Sequence, residues 1–106
     1  MSQIECIECD EAKQLLDQGA VLFDIRDQDS FNQAHPNQAL NLNNDNFQQL
    51  LSPLSAEQDI LVLCYHGISS QGAAQYIAQQ GFKNTRSVNG GFNQWQQLFP
   101  NEIKTQ

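Results

Sequence analysis

Basic residues are scarce in this chain of 106 residues. Five lysines and arginines stand against 12 aspartates and glutamates, which gives a formal charge of −7 at pH 7. A nucleic-acid interface needs a basic face for the phosphates, and an anionic membrane surface needs one as well. The charge balance therefore argues against both kinds of partner.

Long apolar runs are absent and cysteines are few. No apolar stretch approaches the roughly 18 residues that cross a bilayer. The first residues, MSQIEC, lack the basic and apolar segments of a secretory signal. The chain has three cysteines, and this odd number fits a disulfide framework poorly. We therefore expect a cytoplasmic protein with reduced thiols.

Proline is rare too, with three residues, and the sequence has no repeat, linker or low-complexity tail. Forty per cent of the residues are apolar, as in folded rather than disordered chains. A chain of this length supports one core but not two. We expect a single domain over residues 1–106.

Short apolar runs alternate with helical patterns along the chain. AVLFDI and ILVLC have the composition of strands covered on both faces. The predicted strands, two of them weaker, are 3–7, 20–25, 60–64 and 85–88. The predicted helices, two of them short, are 9–19, 28–34, 44–51, 69–81 and 92–100. This alternation predicts an α/β fold with a mainly parallel central sheet flanked by helices on both faces. The helix over 69–81 has serines suited to capping its start and Gly81 to end it.

Cys64 is the last residue of a predicted strand, and a loop that opens into a helix follows it. Ligands of such sheets bind beyond the carboxyl ends of the strands, where Asp24 and Arg26 also lie. An ordinary cysteine is only about 3% thiolate at neutral pH. A tight loop through Gly67 can turn the amides of residues 65–70 towards the sulfur, and the start of a helix carries positive charge. The pattern predicts an activated nucleophile, although a buried strand cysteine with a packing role is the alternative.

Four motifs occur in a characteristic order: Asp-x-Arg after a strand, a histidine in the next loop, the cysteine loop, and Gly-Gly-Phe-x-x-Trp. They lie in DIRDQDSFNQAHPNQALNL, LCYHGISSQGAAQYIAQQG and VNGGFNQWQQLFP. Over about residues 4–99 the chain resembles the single-domain rhodaneses, most of all the GlpE-type thiosulfate sulfurtransferases.

The resemblance implies a thiosulfate:cyanide-type sulfurtransferase that works without a cofactor. Thiolate Cys64 would attack the outer sulfur of thiosulfate, a small anionic donor, release sulfite and hold the sulfur as a persulfide. Cyanide in an assay, or a dithiol protein such as thioredoxin in the cell, would remove it. The implied cradle of the sulfur is the loop Tyr65, His66, Gly67, Ile68, Ser69 and Ser70.

Two other functions are weighed against this one. Cysteine phosphatases use Cys-x5-Arg, but Ser70 occupies the position of the arginine that grips phosphate, and Leu63 precedes the cysteine instead of histidine. A non-catalytic sulfur-carrier or partner-binding rhodanese module is the second alternative. Such modules often lack the cysteine, so Cys64 favours the enzyme.

Several residues near the motifs have supporting or structural interpretations. Gln71 stands where the GlpE-type pattern tends to have lysine, which predicts weak thiosulfate binding. Arg26 either offers the anion a remote positive charge or, as we favour, forms a structural ion pair with Asp24 or a neighbouring carboxylate. His35 has flanks unlike those of the family, and we expect it to pack. His66 adds positive potential to the loop only when protonated.

The remaining cysteines and glycines favour structural roles. Cys6 and Cys9 form a CxxC pair, which could be a redox pair or half of a metal site. Partners for a metal site are missing, so we expect no metal and favour two small apolar fillers, with Cys6 pointing inward. Gly90 and Gly91 predict a tight turn that lets the backbone approach the cysteine loop. The apolar face of the last helix fits either a packing role in a monomer or a contact patch in a weak homodimer.

Overall fold

The computed structural model of the protein describes residues 4–105. In chain order the elements are β1 (Glu5–Ile7), α1 (Cys9–Asp17), β2 (Val21–Asp24), α2 (Gln28–Gln33), β3 (Ala34–Pro36), β4 (Ala39–Asn41), α3 (Phe47–Leu51), β5 (Ile60–Leu63), α4 (Ser69–Gln79), β6 (Thr85–Val88), α5 (Gly91–Leu98), a 3-10 turn (Pro100–Glu102) and β7 (Ile103–Thr105). Gln3, which the first predicted strand included, lies outside the described residues.

Five strands form the central sheet in the order β1-β6-β5-β2-β4, and all neighbouring pairs are parallel. Successive side chains of a strand point to opposite faces, so β2 sends Leu22 to one core and Phe23 to the other. The core on the Leu22 side includes residues of α1 and α5, and the core on the Phe23 side includes residues of α3 and α4. The predicted sheet with helices on both faces is confirmed.

Three short strands were not predicted. β4 adds a fifth strand beside β2, and β3 pairs with β7 in a separate antiparallel ribbon. Each has only three residues. Within β3, His35 is buried and stacks on the Phe31 ring with 3.8 Å between the ring centroids. Its Nδ1 lies 2.7 Å from the Phe31 carbonyl oxygen, so the side chain has the packing environment expected for it.

Two local predictions were wrong. Cys6 is exposed rather than inward, because β1 is an edge strand whose buried side chain is Ile7. The serines do not cap α4: its N-cap is Ile68, which makes no side-chain capping bond. Ser70 turns its hydroxyl to the Cys64 sulfur instead. In the part of the chain that the structure describes, no helix has the length and hydropathy to cross a membrane.

Candidate active site

Cys64 lies directly after β5, at the carboxyl edge of the sheet. The neighbouring strand β2 ends at Asp24, which pairs in register with Leu63. The Cys64 side chain is 5% exposed and borders a cleft of about 640 Å³. Arg26, Tyr65 and Phe92 line the same cleft. A small molecule in the cleft can therefore approach Cys64. A second cavity, of about 470 Å³, shares residues 25–27 as a wall but is not lined by Cys64, so the first is the candidate site.

The loop after Cys64 folds back over the sulfur. The Gly67 amide donates a hydrogen bond to Sγ at 3.0 Å. Gly67 has a φ of +90°, and a Cβ at this position would lie 2.8 Å from the Gly90 nitrogen. Both the conformation and the space require glycine here. The Ser70 hydroxyl oxygen also lies close to the sulfur, at 3.3 Å.

The start of α5 fixes the direction of the loop peptides. The Phe92 amide donates to the Cys64 carbonyl at 2.8 Å, and the Asn93 amide donates to the Tyr65 carbonyl at 3.0 Å. In a trans peptide the carbonyl and the following N–H point in opposite directions. With the Tyr65 carbonyl held against α5, the His66 amide points back towards the sulfur. The close packing of the loop against the start of α5 requires glycine at position 91, because a Cβ there would collide with the Cys64 and Tyr65 carbonyl groups.

These contacts set the acidity of Cys64. Burial by itself would raise the pKa of the thiol. The Ser70 hydroxyl and the amides of Ser70, Gly67 and His66 stabilise the anion, and together they hold the Cys64 pKa below its ordinary value. Cys9 is the opposite case, because burial and the carboxylates of Glu8 and Asp10 raise its pKa to about 11. The two buried thiols are therefore chemically distinct.

Asp24 and Arg26 form a buried ion pair at the wall of the cleft. The guanidinium donates to the carboxylate through Nε and through Nη2, the latter at 2.8 Å, and Nη2 also donates to the Ala34 carbonyl at 2.7 Å. The central carbon of the Arg26 guanidinium, Cζ, lies 4.0 Å from the centroid of the Phe92 ring. The structural ion pair that we favoured is present. Arg26 nevertheless lines the cleft, so it can also contact an anion bound there.

The other predicted loop residues lie around this centre. Tyr65 and His66 are exposed and meet edge to face, with ring centroids 4.4 Å apart. Ile68 is 74% exposed, and Ser69 lines the cleft. The Gln71 side chain donates to the Gly67 carbonyl at 2.9 Å, so it braces the loop rather than lining the cleft.

Sequence reasoning missed two features of the site. Ser87, in the centre of β6, is fully buried with its Oγ 2.7 Å from Ser70 Oγ. The available sequence signal was weak: a serine next to Val88 in a predicted strand. Asp27 lines the cleft and caps α2 through Ser30, but its role is not visible in the Asp-x-Arg motif. Within residues 4–105, no three His, Cys, Asp or Glu side chains group in a way that would hold a metal ion.

Comparison with known proteins places this geometry in a family. The family model described as the rhodanese-like domain matches residues 8–98. Among solved structures, reduced CoADR-RHD of Bacillus anthracis superposes with a TM-score of 0.79 at 23% identity over 94% of this chain, which spans only 18% of that protein. A rhodanese-like domain protein of Staphylococcus aureus gives a TM-score of 0.73 at 20% identity over 87% of this chain and 91% of that one.

A rhodanese-like domain of an Anabaena protein, solved by solution NMR, gives a TM-score of 0.78 at 19% identity over 100% of this chain and 81% of that one. At these identities the structural likeness shows a shared fold. The family match, by contrast, covers most of the sequence. The chain therefore belongs to the rhodanese-like domain family.

Proposed function

We propose that the protein is a sulfurtransferase that carries sulfur as a persulfide on Cys64, in the manner of the GlpE-type thiosulfate enzymes. One observation carries the proposal. Cys64 borders an open cleft, and the Gly67 amide and the Ser70 hydroxyl hold the pKa of its thiol below the ordinary value. The thiolate is the nucleophile that sulfur transfer requires.

In the first half-reaction, the Cys64 thiolate attacks the outer sulfur of thiosulfate. A new S–S bond forms from the thiolate electron pair, and the S–S bond of thiosulfate breaks with its pair leaving on sulfite. In the second half, cyanide or a protein thiolate attacks the outer sulfur of the persulfide. Thiocyanate or the acceptor persulfide forms, and Cys64 returns as thiolate.

The Gly67 amide and Ser70 hydroxyl serve both steps, because each step either consumes or regenerates the anion on Sγ. A protein dithiol such as thioredoxin is the proposed cellular acceptor. We also propose the cytoplasm as the compartment, since the mechanism needs Cys64 as a free thiol, the state in which the structure has it.

Intact-mass analysis tests the proposal. After incubation with thiosulfate, the protein should gain one sulfur atom, and cyanide should remove it. Cys64→Ser should gain none, whereas the matched variant Cys6→Ser, which removes an exposed cysteine outside the site, should gain sulfur like the wild type. A protein that takes up no sulfur from thiosulfate or from a small persulfide donor would favour the non-catalytic partner-binding module instead.

A further inference from the structure

Two buried hydroxyls stand in a row behind the Cys64 sulfur. Ser70 Oγ lies 3.3 Å from Sγ, and Ser87 Oγ lies 2.7 Å from Ser70 Oγ. Both serines have no exposed surface. Ser70 comes from the first turn of α4 and Ser87 from β6, so the fold brings together groups that are 17 residues apart. The row leads away from the cleft, which Ser87 does not line.

The ionisation of Cys64 fixes the direction of these hydrogen bonds. Each hydroxyl has a single proton to donate, and a thiolate can only accept. When Cys64 is ionised, the Ser70 proton is therefore directed at the sulfur. The Ser70 oxygen is then free to accept from Ser87. The two donors run in line towards the anion, and hydrogen bonds in such a chain strengthen one another.

We propose that Ser87 is a positioning residue for Cys64: its hydroxyl orients the Ser70 hydroxyl so that the Ser70 proton points at the sulfur. Within residues 4–105, Ser87 does not line the cleft and its hydroxyl has no hydrogen bond to the thiol, so it acts through Ser70. Its effect on thiol chemistry stands by itself, while its effect on turnover rests on the proposed sulfurtransferase function.

The proposal predicts a pH-dependent effect on the first half-reaction and a pH-independent effect on the second. Attack on a donor needs the thiolate, so loss of Ser87 slows attack at neutral pH and the loss disappears once the thiol is fully ionised. Release is different, because Cys64 is then the leaving group: the acceptor forms its bond to the outer sulfur and the S–S electron pair returns to Sγ. Loss of the Ser87 hydroxyl weakens the support of the Cys64 anion and so raises the pKa of the thiol. A thiolate of higher pKa leaves more slowly at every pH.

Alkylation of Cys64 by iodoacetamide, followed by peptide mass analysis across a pH series, measures the first effect without any sulfur donor. At neutral pH, Ser87→Ala should react about threefold more slowly than the wild type, the size expected for loss of one supporting bond in a chain. At pH values where Cys64 is fully ionised in both proteins, the variant should match or exceed the wild type, because a thiolate of higher pKa is the better nucleophile.

Thr85→Val is the matched control. Thr85 lies on the same strand, is 3% exposed, and its hydroxyl donates to the Phe82 carbonyl rather than towards the thiol. This variant removes a buried hydroxyl from β6 and should leave the pH profile unchanged. If Ser87→Ala fails to fold, Ser87→Cys replaces it, since its weaker donor should produce a smaller shift in the same direction.

The double variant of Ser70→Ala and Ser87→Ala tests whether Ser87 acts on Cys64 through Ser70. Ser70→Ala should slow neutral-pH alkylation by about tenfold or more, because it removes a hydrogen bond to a charged group. Adding Ser87→Ala to Ser70→Ala should change the rate no further. An unchanged profile in Ser87→Ala, equal slowing at all pH values, or a full Ser87 effect without Ser70 would each overturn the proposal. A protein that shows the alkylation shift but takes up no sulfur would refute the sulfurtransferase function and leave Ser87 in its role.

Discussion

At the scale of single residues, the ion pair of Asp24 and Arg26 combines a structural role with a place at the site. The side chains are 0% and 7% exposed, so neither charge is well solvated. Asn41 adds hydrogen bonds from its amide to the Asp24 and Arg26 carbonyls, both at 2.9 Å. The pair thereby fixes the turn after β2 that forms one wall of the cleft.

Removing one partner should be far more costly than removing both. Arg26→Met leaves the Asp24 carboxylate buried without its cation, and we expect the free energy of unfolding to fall by about 3–5 kcal/mol. The double variant Asp24→Asn with Arg26→Met should recover part of that loss. Urea unfolding measures both changes.

The exposed pair of Lys83 and Glu57 is the control for this measurement. Its side chains are 67% and 70% exposed, and Lys83→Met should cost less than about 1 kcal/mol. Equal costs for Arg26→Met and Lys83→Met would contradict the structural role of the buried pair.

At the scale of elements, the site depends on the meeting of the cysteine loop with the start of α5. Gly91 has a φ of +58°, and a Cβ there would collide with the Cys64 and Tyr65 carbonyl groups. We expect Gly91→Ala to lower the free energy of unfolding by about 1–2 kcal/mol for the left-handed backbone, with more lost to overpacking. It should also slow neutral-pH alkylation of Cys64, because the displaced carbonyls no longer direct the His66 amide at the sulfur.

Gly81→Ala separates the cost of the left-handed backbone from the effect of the steric collision. Gly81 has a φ of +106°, but a Cβ there meets nothing within 4 Å, so this variant should carry the backbone cost alone and leave Cys64 reactivity unchanged. Chemical denaturation and the alkylation assay give both readouts. Normal Cys64 reactivity in a folded Gly91→Ala protein would show that α5 does not set the loop geometry.

The sequence predicted those elements whose signal is local. β2 and β5 are continuous apolar runs, and α4 ends before a glycine, so composition alone located them. β3 and β7 are strands only because they pair with each other across most of the chain, at three residues each. The N-cap of α4 was predicted wrongly because Ser70 forms a buried contact with Cys64, and such a contact overrides local capping preference. The role of Ser87 was missed because it also depends on a tertiary contact: its partner, Ser70, is 17 residues away in the sequence.

At the scale of the whole molecule, the acidic surface bears on the sulfur donor of the proposed sulfurtransferase. In the part of the chain that the structure describes, four of the five basic side chains form ion pairs: Lys13, Arg26, Lys83 and Arg86. Among residues 4–105, Arg26 is the one lysine or arginine that lines the cleft, and Asp27 lines it too. A dianion such as thiosulfate therefore approaches a protein of charge −7 without a net cationic cleft to attract it.

If the proposed reaction with thiosulfate takes place, salt should accelerate it. Raising ionic strength from about 0.01 M to about 0.15 M shortens the screening length from roughly 30 Å to 8 Å, which weakens the repulsion between protein and dianion. We expect kcat/KM for thiosulfate to rise severalfold over this range, while the rate with the neutral reagent iodoacetamide stays constant. Gln71→Lys adds a cation beside the loop, and it should lower KM at low salt, leave kcat nearly unchanged and flatten the salt dependence. A thiosulfate rate that falls with salt in the wild type would instead show that Arg26 attracts the anion despite its pairing with Asp24.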